Sequence, residues 1–307
     1  MNHSTLLSSS SHAFPLWNSD PLANAFTFES PTDSISQAIV RSVTRPWIFA
    51  FTPTAPSNGR AILILGGGGY VELVLGREGI QVATWLRSLG FTAFVLVHRF
   101  PNAEVGPQAP LDDARQALRL IKEKGYGGNG VGVVGLSSGG HLGAALLATY
   151  PGHWTEKGSG ALPELEFAVI GYGPISTNAV GRHIVKNKAP LEPEEKQELY
   201  DTVQPDVQLG EKVPPCFVVY SGSDAVVPVV NAYRLVEGLG KAGVRVELHV
   251  FSDAPHGFAL DCDKNLPIRY LVVHADSFAF SAKSKKRVDR IAPDTAFVSR
   301  ESLKKVG

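Results

Sequence analysis

The sequence predicts an α/β fold, a mostly parallel central sheet flanked by helices on both faces. Three observations predict it. Short runs nearly continuous in Val, Leu and Ile alternate with helical patterns, as strands buried on both faces and linked by crossover helices do. One of these runs begins at Val131 and passes through Gly135-Leu136-Ser137-Ser138-Gly139-Gly140 into an alanine- and leucine-rich stretch reaching Tyr150, so strand becomes helix at a serine set among glycines. The 307 residues show no internal repeat and have ordinary globular composition, a length for one large α/β domain or two small ones.

Residues 1–35, rich in Ser, Asn and Pro, read as a flexible leader, 36–282 as the folded domain and 283–307 as a polar, basic tail. Val40–Phe51 reads as one edge strand, because Pro46 in its middle lacks the N–H that a central ladder needs. After a turn at Ser57-Asn58-Gly59, Ala61–Leu65 is a short buried strand running into Gly66-Gly67-Gly68-Gly69-Tyr70. Gly76–Gly90 carries Ile80, Val82, Ala83, Leu86 and Leu89 at helical spacing, with Gly90 as its stop. Thr92–His98 is another buried strand; Arg99 behind it faces Glu78, another carboxylate or solvent, and spacing does not choose among them. Pro110 opens a helix with Asp112 and Asp113 in its first turn, complementing the dipole. Its inner stripe is Leu111, Ala114, Ala117, Leu118 and Ile121. Phe167–Gly171 is a fifth strand. The stretch 174–213 is poor in apolar residues and predicts a small lid, with a short helix near Pro193–Tyr200. Cys216–Ser221 and Val244–Phe251 read as strands, Val229–Ala242 and Leu266–Phe280 as helices.

Lys+Arg and Asp+Glu both number 29, so the chain lacks the basic field that a nucleic-acid or polyanion partner requires. Cys216 and Cys262 make neither a disulfide framework nor a metal-ligand spacing. No run of about 18 apolar residues offers a membrane span, and residues 1–17 lack the basic region and apolar core of a secretory signal. The expectation is a cytoplasmic protein with no membrane or nucleic-acid partner.

Glycines on either side of the serine permit a turn too sharp for any Cβ. Such a turn holds the serine in strained backbone geometry, raises its hydroxyl above the sheet and aims the first amides of the next helix back at it. A serine hydroxyl is a poor nucleophile until a base takes its proton, and the base needs a third group to orient it. In this architecture the chain order is serine, acid, histidine, each on a loop leaving the carboxyl edge of the sheet. Six histidines follow Ser137. His141, one turn into the helix, reads as packed or as a support behind the site; His153 and His183 lie in polar segments, His249 inside a strand and His274 inside the last helix. His256 alone follows a strand at once, between Pro255 and Gly257, and is the expected base. Asp224 leaves the preceding strand and is the expected acid, while its rival Asp253 suits the closing of its own turn. The glycine run after Ala61–Leu65 is either a flexible corner or a loop whose backbone amides can approach an oxyanion that a Cβ would block.

Taken together, Leu65-Gly66-Gly67-Gly68-Gly69-Tyr70, Gly135-Leu136-Ser137-Ser138-Gly139-Gly140-His141-Leu142, and Ser223-Asp224 through Pro228 with His256-Gly257-Phe258 resemble the α/β-hydrolase superfamily. Within it the chain looks like the serine esterases known as acetyl esterases and acetylxylan esterases, close to the dienelactone-hydrolase and prolyl-oligopeptidase-like branch. Arg77-Glu78-Gly79, His98-Arg99-Phe100-Pro101 and Ala109-Pro110-Leu111-Asp112-Asp113-Ala114 extend the likeness, which covers roughly residues 41–280. The resemblance implies an α/β-hydrolase fold, with Ser137 as nucleophile, Asp224 as acid and His256 as base. It implies oxyanion donors at the amides of Ser138 and of Gly67 or Gly68, with Tyr70 as a substrate contact. The implied reaction is hydrolysis of a small acetyl-type ester, including esters of sugars, through an acyl-serine and without metal or organic cofactor. This chain has Gly66 where the family commonly has proline, and it lacks the export signal of many relatives, so an intracellular metabolite rivals polysaccharide as substrate. Acyl transfer, lactone formation or thioester hydrolysis would use the same groups, and a ligand-binding protein could share the scaffold. An imidazole base of ordinary pKa near 6.5 predicts activity that falls below about pH 6.

Overall fold

The computed structural model describes residues 2–17, 21–30, 34–151, 154, 162–176 and 191–260. Among these the elements in chain order are α1 (His3–Ser9), β1 (His12–Pro15), β2 (Phe26–Phe28), β3 (Val40–Val43), β4 (Trp47–Phe51), β5 (Ala61–Leu65), α2 (Gln81–Ser88), β6 (Thr92–Val97), α3 (Ala109–Glu123), β7 (Val131–Leu136), α4 (Ser138–Ala145), β8 (Leu165–Gly171), α5 (Glu194–Thr202), β9 (Cys216–Ser221), α6 (Val230–Lys241) and β10 (Val246–Phe251). A single π-helical turn, Gly76–Ile80, leads into α2.

Eight strands form one sheet in the order β1-β4-β6-β5-β7-β8-β9-β10. The six from β6 to β10 run parallel; β4 is added antiparallel to β6, and β1, antiparallel to β4, closes that side in the direction of the six. Sequences AILIL of β5 and VGVVGL of β7 sit in the middle and are buried at every position, which is why neither alternates apolar with polar. Helix α2 packs on β4 and β6, α3 on β5, α4 on β7 and β8, and α6 on β9 and β10. This is the α/β-hydrolase fold, and every loop that leaves the carboxyl ends of β5, β7, β8, β9 and β10 opens on the same edge.

The N-terminal stretch departs from expectation. Residues 1–35 include α1, β1 and β2, and β1 pairs with β4 from His12↔Ala50 to Pro15↔Trp47. Leu6, Leu16 and Phe26 from this stretch are buried in the core. Its Ser- and Pro-rich composition hid a few widely spaced apolar anchors, which suffice when a neighbouring sheet edge supplies the backbone partners. The edge position read for Val40–Phe51 is therefore held by β1. Pro46 falls between β3 and β4, outside both ladders, and β4 is internal and buried throughout. Helix α4 stops at Ala145 rather than near Tyr150. Residues 177–190 of the expected lid, the helix expected over 266–280 and the tail from 283 lie outside the described residues. The lid's short helix is present as α5.

Candidate active site

Ser137 stands between β7 and α4 with φ 54° and ψ −124°, a conformation that non-glycine residues adopt at a cost and keep only where the surroundings impose it. The surroundings are glycine. A Cβ on Gly135 would run into the carbonyl of Gly139, and one on Gly139 would run into the carbonyl of Leu65. The residue as a whole is largely buried, and its hydroxyl faces the loop that follows β10.

That loop carries His256, whose Nε2 lies 2.9 Å from Ser137 Oγ. Its Nδ1 lies 2.7 Å from Asp224 Oδ2, on the loop after β9. A carboxylate can only accept here, so Nδ1 carries the proton and Nε2 is left to accept from the serine hydroxyl. Asp224 is fully buried at its side chain. Its other oxygen accepts the amides of Val226 and Val227, each at 2.8 Å, which leaves the carboxylate one orientation. The Tyr172 ring, after β8, meets the imidazole edge-on with centroids 5.2 Å apart. Asp253 only accepts a long 3.4 Å bond from Ser223 and does not reach the imidazole. His249 is in β10 against Phe251, and His141 is buried within α4, as expected.

The two candidate loop glycines separate. The Gly67 amide donates to Glu78 Oε2 at 2.6 Å, whereas the Gly68 and Ser138 amides have no acceptor among the described residues. Gly68, Ser137, Ser138 and His256 all line a cavity of about 370 Å³. Pro174, Val226 and Val227 give it an apolar wall, and Leu191 and Tyr200 reach it from the lid side. Glu72, Arg77 and Lys196 add charge.

Tyr70, expected to touch substrate, does not line this cavity. It is 1% exposed, and its hydroxyl bonds His141 Nδ1 at 3.0 Å. Its ring packs edge-on against Tyr200 at 5.6 Å. The large phenol following four glycines has turned inward to fill the space between elbow helix and lid helix. Conversely, Glu78 and Tyr172 reach the site without having been anticipated there. Glu78 is 2% exposed, and burial pushes its carboxyl above the usual range while the Gly67 amide and the Tyr172 hydroxyl pull the other way. The available signal was a charged pair framed by glycines, Gly76-Arg77-Glu78-Gly79, interrupting the apolar stripe where α2 begins. Among the described residues, no group of three or more His, Cys, Asp or Glu side chains is arranged to hold a metal.

Known proteins agree with this architecture. An acetylxylan esterase of Xylanibacter ruminicola is 28% identical over 224 residues, 68% of this chain and 42% of its own. Endo-1,4-beta-xylanase B of Butyrivibrio fibrisolvens is 25% identical over 228 residues, 71% of this chain and 35% of its own. The chain thus spans less than half the length of these curated relatives. Among solved structures, an acetyl ester-xyloside bifunctional hydrolase from Caldicellulosiruptor lactoaceticus superposes with a TM-score of 0.64 at 25% identity, covering 92% of this chain and 98% of that one. A thermophilic esterase from Thermogutta terrifontis gives 0.61 at 20% identity, covering 87% and 95%, a likeness of fold. The model of the BD-FAE family matches residues 51–239, which run from the end of β4 through the glycine loop, the serine elbow and Asp224 into α6. With more than half of its length so matched, this chain belongs to the BD-FAE family.

Proposed function

We propose that this chain is a serine carboxylic-ester hydrolase that removes small, acetyl-type acyl groups, including those carried by acetylated sugars. The observation that carries the reading is the continuous link from Ser137 Oγ through His256 Nε2, at 2.9 Å, and His256 Nδ1 to Asp224 Oδ2, at 2.7 Å, on the floor of a cavity. His256 takes the Ser137 proton as Oγ attacks the ester carbonyl carbon. The same proton passes to the leaving alcohol as its C–O bond breaks, and acyl-Ser137 remains. Water then gives a proton to His256 while attacking the acyl carbon, and Ser137 leaves with its proton restored. Asp224 holds the imidazole in one tautomer and stabilises its charged form. The negative oxygen of each tetrahedral intermediate is held by the Ser138 amide and, because Gly67 is engaged by Glu78, by the Gly68 amide. Each such donor contributes about 10²–10³ in rate.

The apolar wall of Pro174, Val226 and Val227 suits a short acyl chain. Relatives named for acetylxylan and acetyl ester-xyloside hydrolysis support a sugar as the alcohol. The test is labelling with a serine-directed phosphonate followed by peptide mass spectrometry. The expected result is one adduct on Ser137 with loss of nitrophenyl acetate hydrolysis, and a chain that stays unlabelled would sink the proposal. Rates across acetyl, butyryl and octanoyl esters check the acyl group, where an octanoate optimum would overturn the acetyl assignment. Product analysis with candidate alcohols present separates hydrolysis from acyl transfer.

A further inference from the structure

None of these steps uses Glu78, yet it is the most enclosed acid facing the cavity. Its Oε2 accepts the Gly67 amide at 2.6 Å. Its Oε1 accepts the Tyr172 hydroxyl at 3.1 Å, and that hydroxyl in turn accepts the Ala259 amide at 3.2 Å. The residue before it, Arg77, donates to the Gly257 carbonyl at 3.4 Å. One turn of two charged residues therefore ties together the glycine loop after β5, the segment after β8 and the loop after β10 that carries His256.

The glycine loop is pinned from two sides. Glu78 fixes the peptide plane at the Gly67 amide, and the Val74 amide donates to the Gly67 carbonyl at 2.8 Å. In a trans peptide the next N–H points opposite to that carbonyl, so the Gly68 amide is directed away from Val74. A Cβ on Gly67 would stand 2.5 Å from both Glu78 Oε2 and Ser137 Cβ, so loop, acid and serine are in mutual contact. Both partners of Glu78 donate: the Gly67 amide can only donate, and the Tyr172 hydroxyl gives its proton to Oε1 while accepting from Ala259. An ionised carboxylate accepts both bonds as they stand.

We propose that Glu78 is a positioning residue for the reaction: its carboxylate holds the glycine loop so that the Gly68 amide meets the oxyanion. This rests on the function proposed above. The titratable groups facing Glu78 are Tyr172 from the segment after β8, His256 from the loop after β10 and Arg77 on its own turn.

The test is Glu78→Gln in the full chain, assayed on nitrophenyl acetate from pH 5 to 9, with phosphonate labelling to count competent sites. The expected result is a kcat per labelled site lower by about 10–10²-fold with KM within about twofold, a partial loss of one oxyanion donor. The acidic limb of kcat/KM should move to lower pH, since a glutamine cannot be protonated and the part of the limb that comes from Glu78 is lost. Tyr172→Phe keeps the ring but removes one donor to the carboxylate. It should lower kcat by a smaller factor and move the limb to higher pH, because Glu78 is then protonated sooner. It carries the test alone if Glu78→Gln does not fold. Unchanged kcat with an unmoved limb overturns the inference. So does a rise in KM alone, or an activity loss that only follows the loss of labelled sites with the limb unmoved. Failure of the wild type to label would strike the proposed function itself and is read separately.

Discussion

Replacing His141 by glutamine probes the contact between elbow helix and lid helix, and its effect has a sign and a size. His141 Nε2 lies 2.9 Å from the carbonyl of Val203, just past α5, so Nε2 carries the proton and Nδ1 accepts from the Tyr70 hydroxyl. The ring is wholly buried against Tyr70 and Tyr200, and burial pushes its pKa from 6.5 down to about 4. The folded-state pKa is depressed, so as pH falls the unfolded chain takes up the proton first. The associated stability is complete above pH 6.5 and is lost as pH falls toward 4. By linkage the loss is about 2 kcal/mol at pH 5 and about 3 kcal/mol at pH 4. Glutamine can donate to Val203 and accept from Tyr70 but does not titrate. Urea unfolding of both proteins at pH 7.5, 5 and 4 gives the difference in stability, in which titrations common to the two cancel. The wild-type advantage should shrink by those amounts; a difference constant across the range would refute the burial argument.

Gly67→Ala places a methyl 2.5 Å from Ser137 Cβ and 3.0 Å from the Leu136 carbonyl, so the loop must withdraw from the serine. We expect kcat to drop by about 10²-fold or more, from lost oxyanion contact, with little change in KM; wild-type kcat would contradict the packing. Asp224→Asn should cost on the order of 10⁴ in kcat by permitting the wrong tautomer of His256, whereas a loss under tenfold would remove Asp224 from the role given it. Asp113 accepts the Arg99 amide at 2.8 Å, its guanidinium at 2.6 Å and the Trp17 indole at 2.7 Å, with its own side chain fully buried. Asp113→Asn should therefore cost on the order of 3 kcal/mol in urea unfolding, and a change below the measurement error would show the pair to be dispensable.

The meeting of Ser137, Asp224 and His256 was legible because each lies on a segment that leaves an apolar run, and a parallel sheet brings the ends of such runs to one edge. Identity and position coincided there. The roles of Glu78 and Asp113 were harder to read for the opposite reason. Both sit at the start of helical patterns, where an acid is satisfied by the dipole alone, and nothing local says that the neighbouring turn is buried under another loop. Arg99 had no readable partner because Asp113 lies 14 residues away and meets it only after the strand-to-helix crossover. Tyr70 misled for a related reason: adjacency to the glycine loop says where the backbone goes, not which way a phenol turns. β1 was missed because a four-residue strand with no run of its own takes its pairing from β4.

That short strand has a practical consequence for anyone handling the protein. Beneath it lies Trp47–Phe51, five apolar residues in a row whose outward backbone groups are satisfied by His12–Pro15. Trimming the first fifteen residues as dispensable would uncover a hydrophobic ribbon ready to zip onto copies of itself. Insolubility after such a cut would then reflect a lost shield, with the chemistry of the distant cavity untouched.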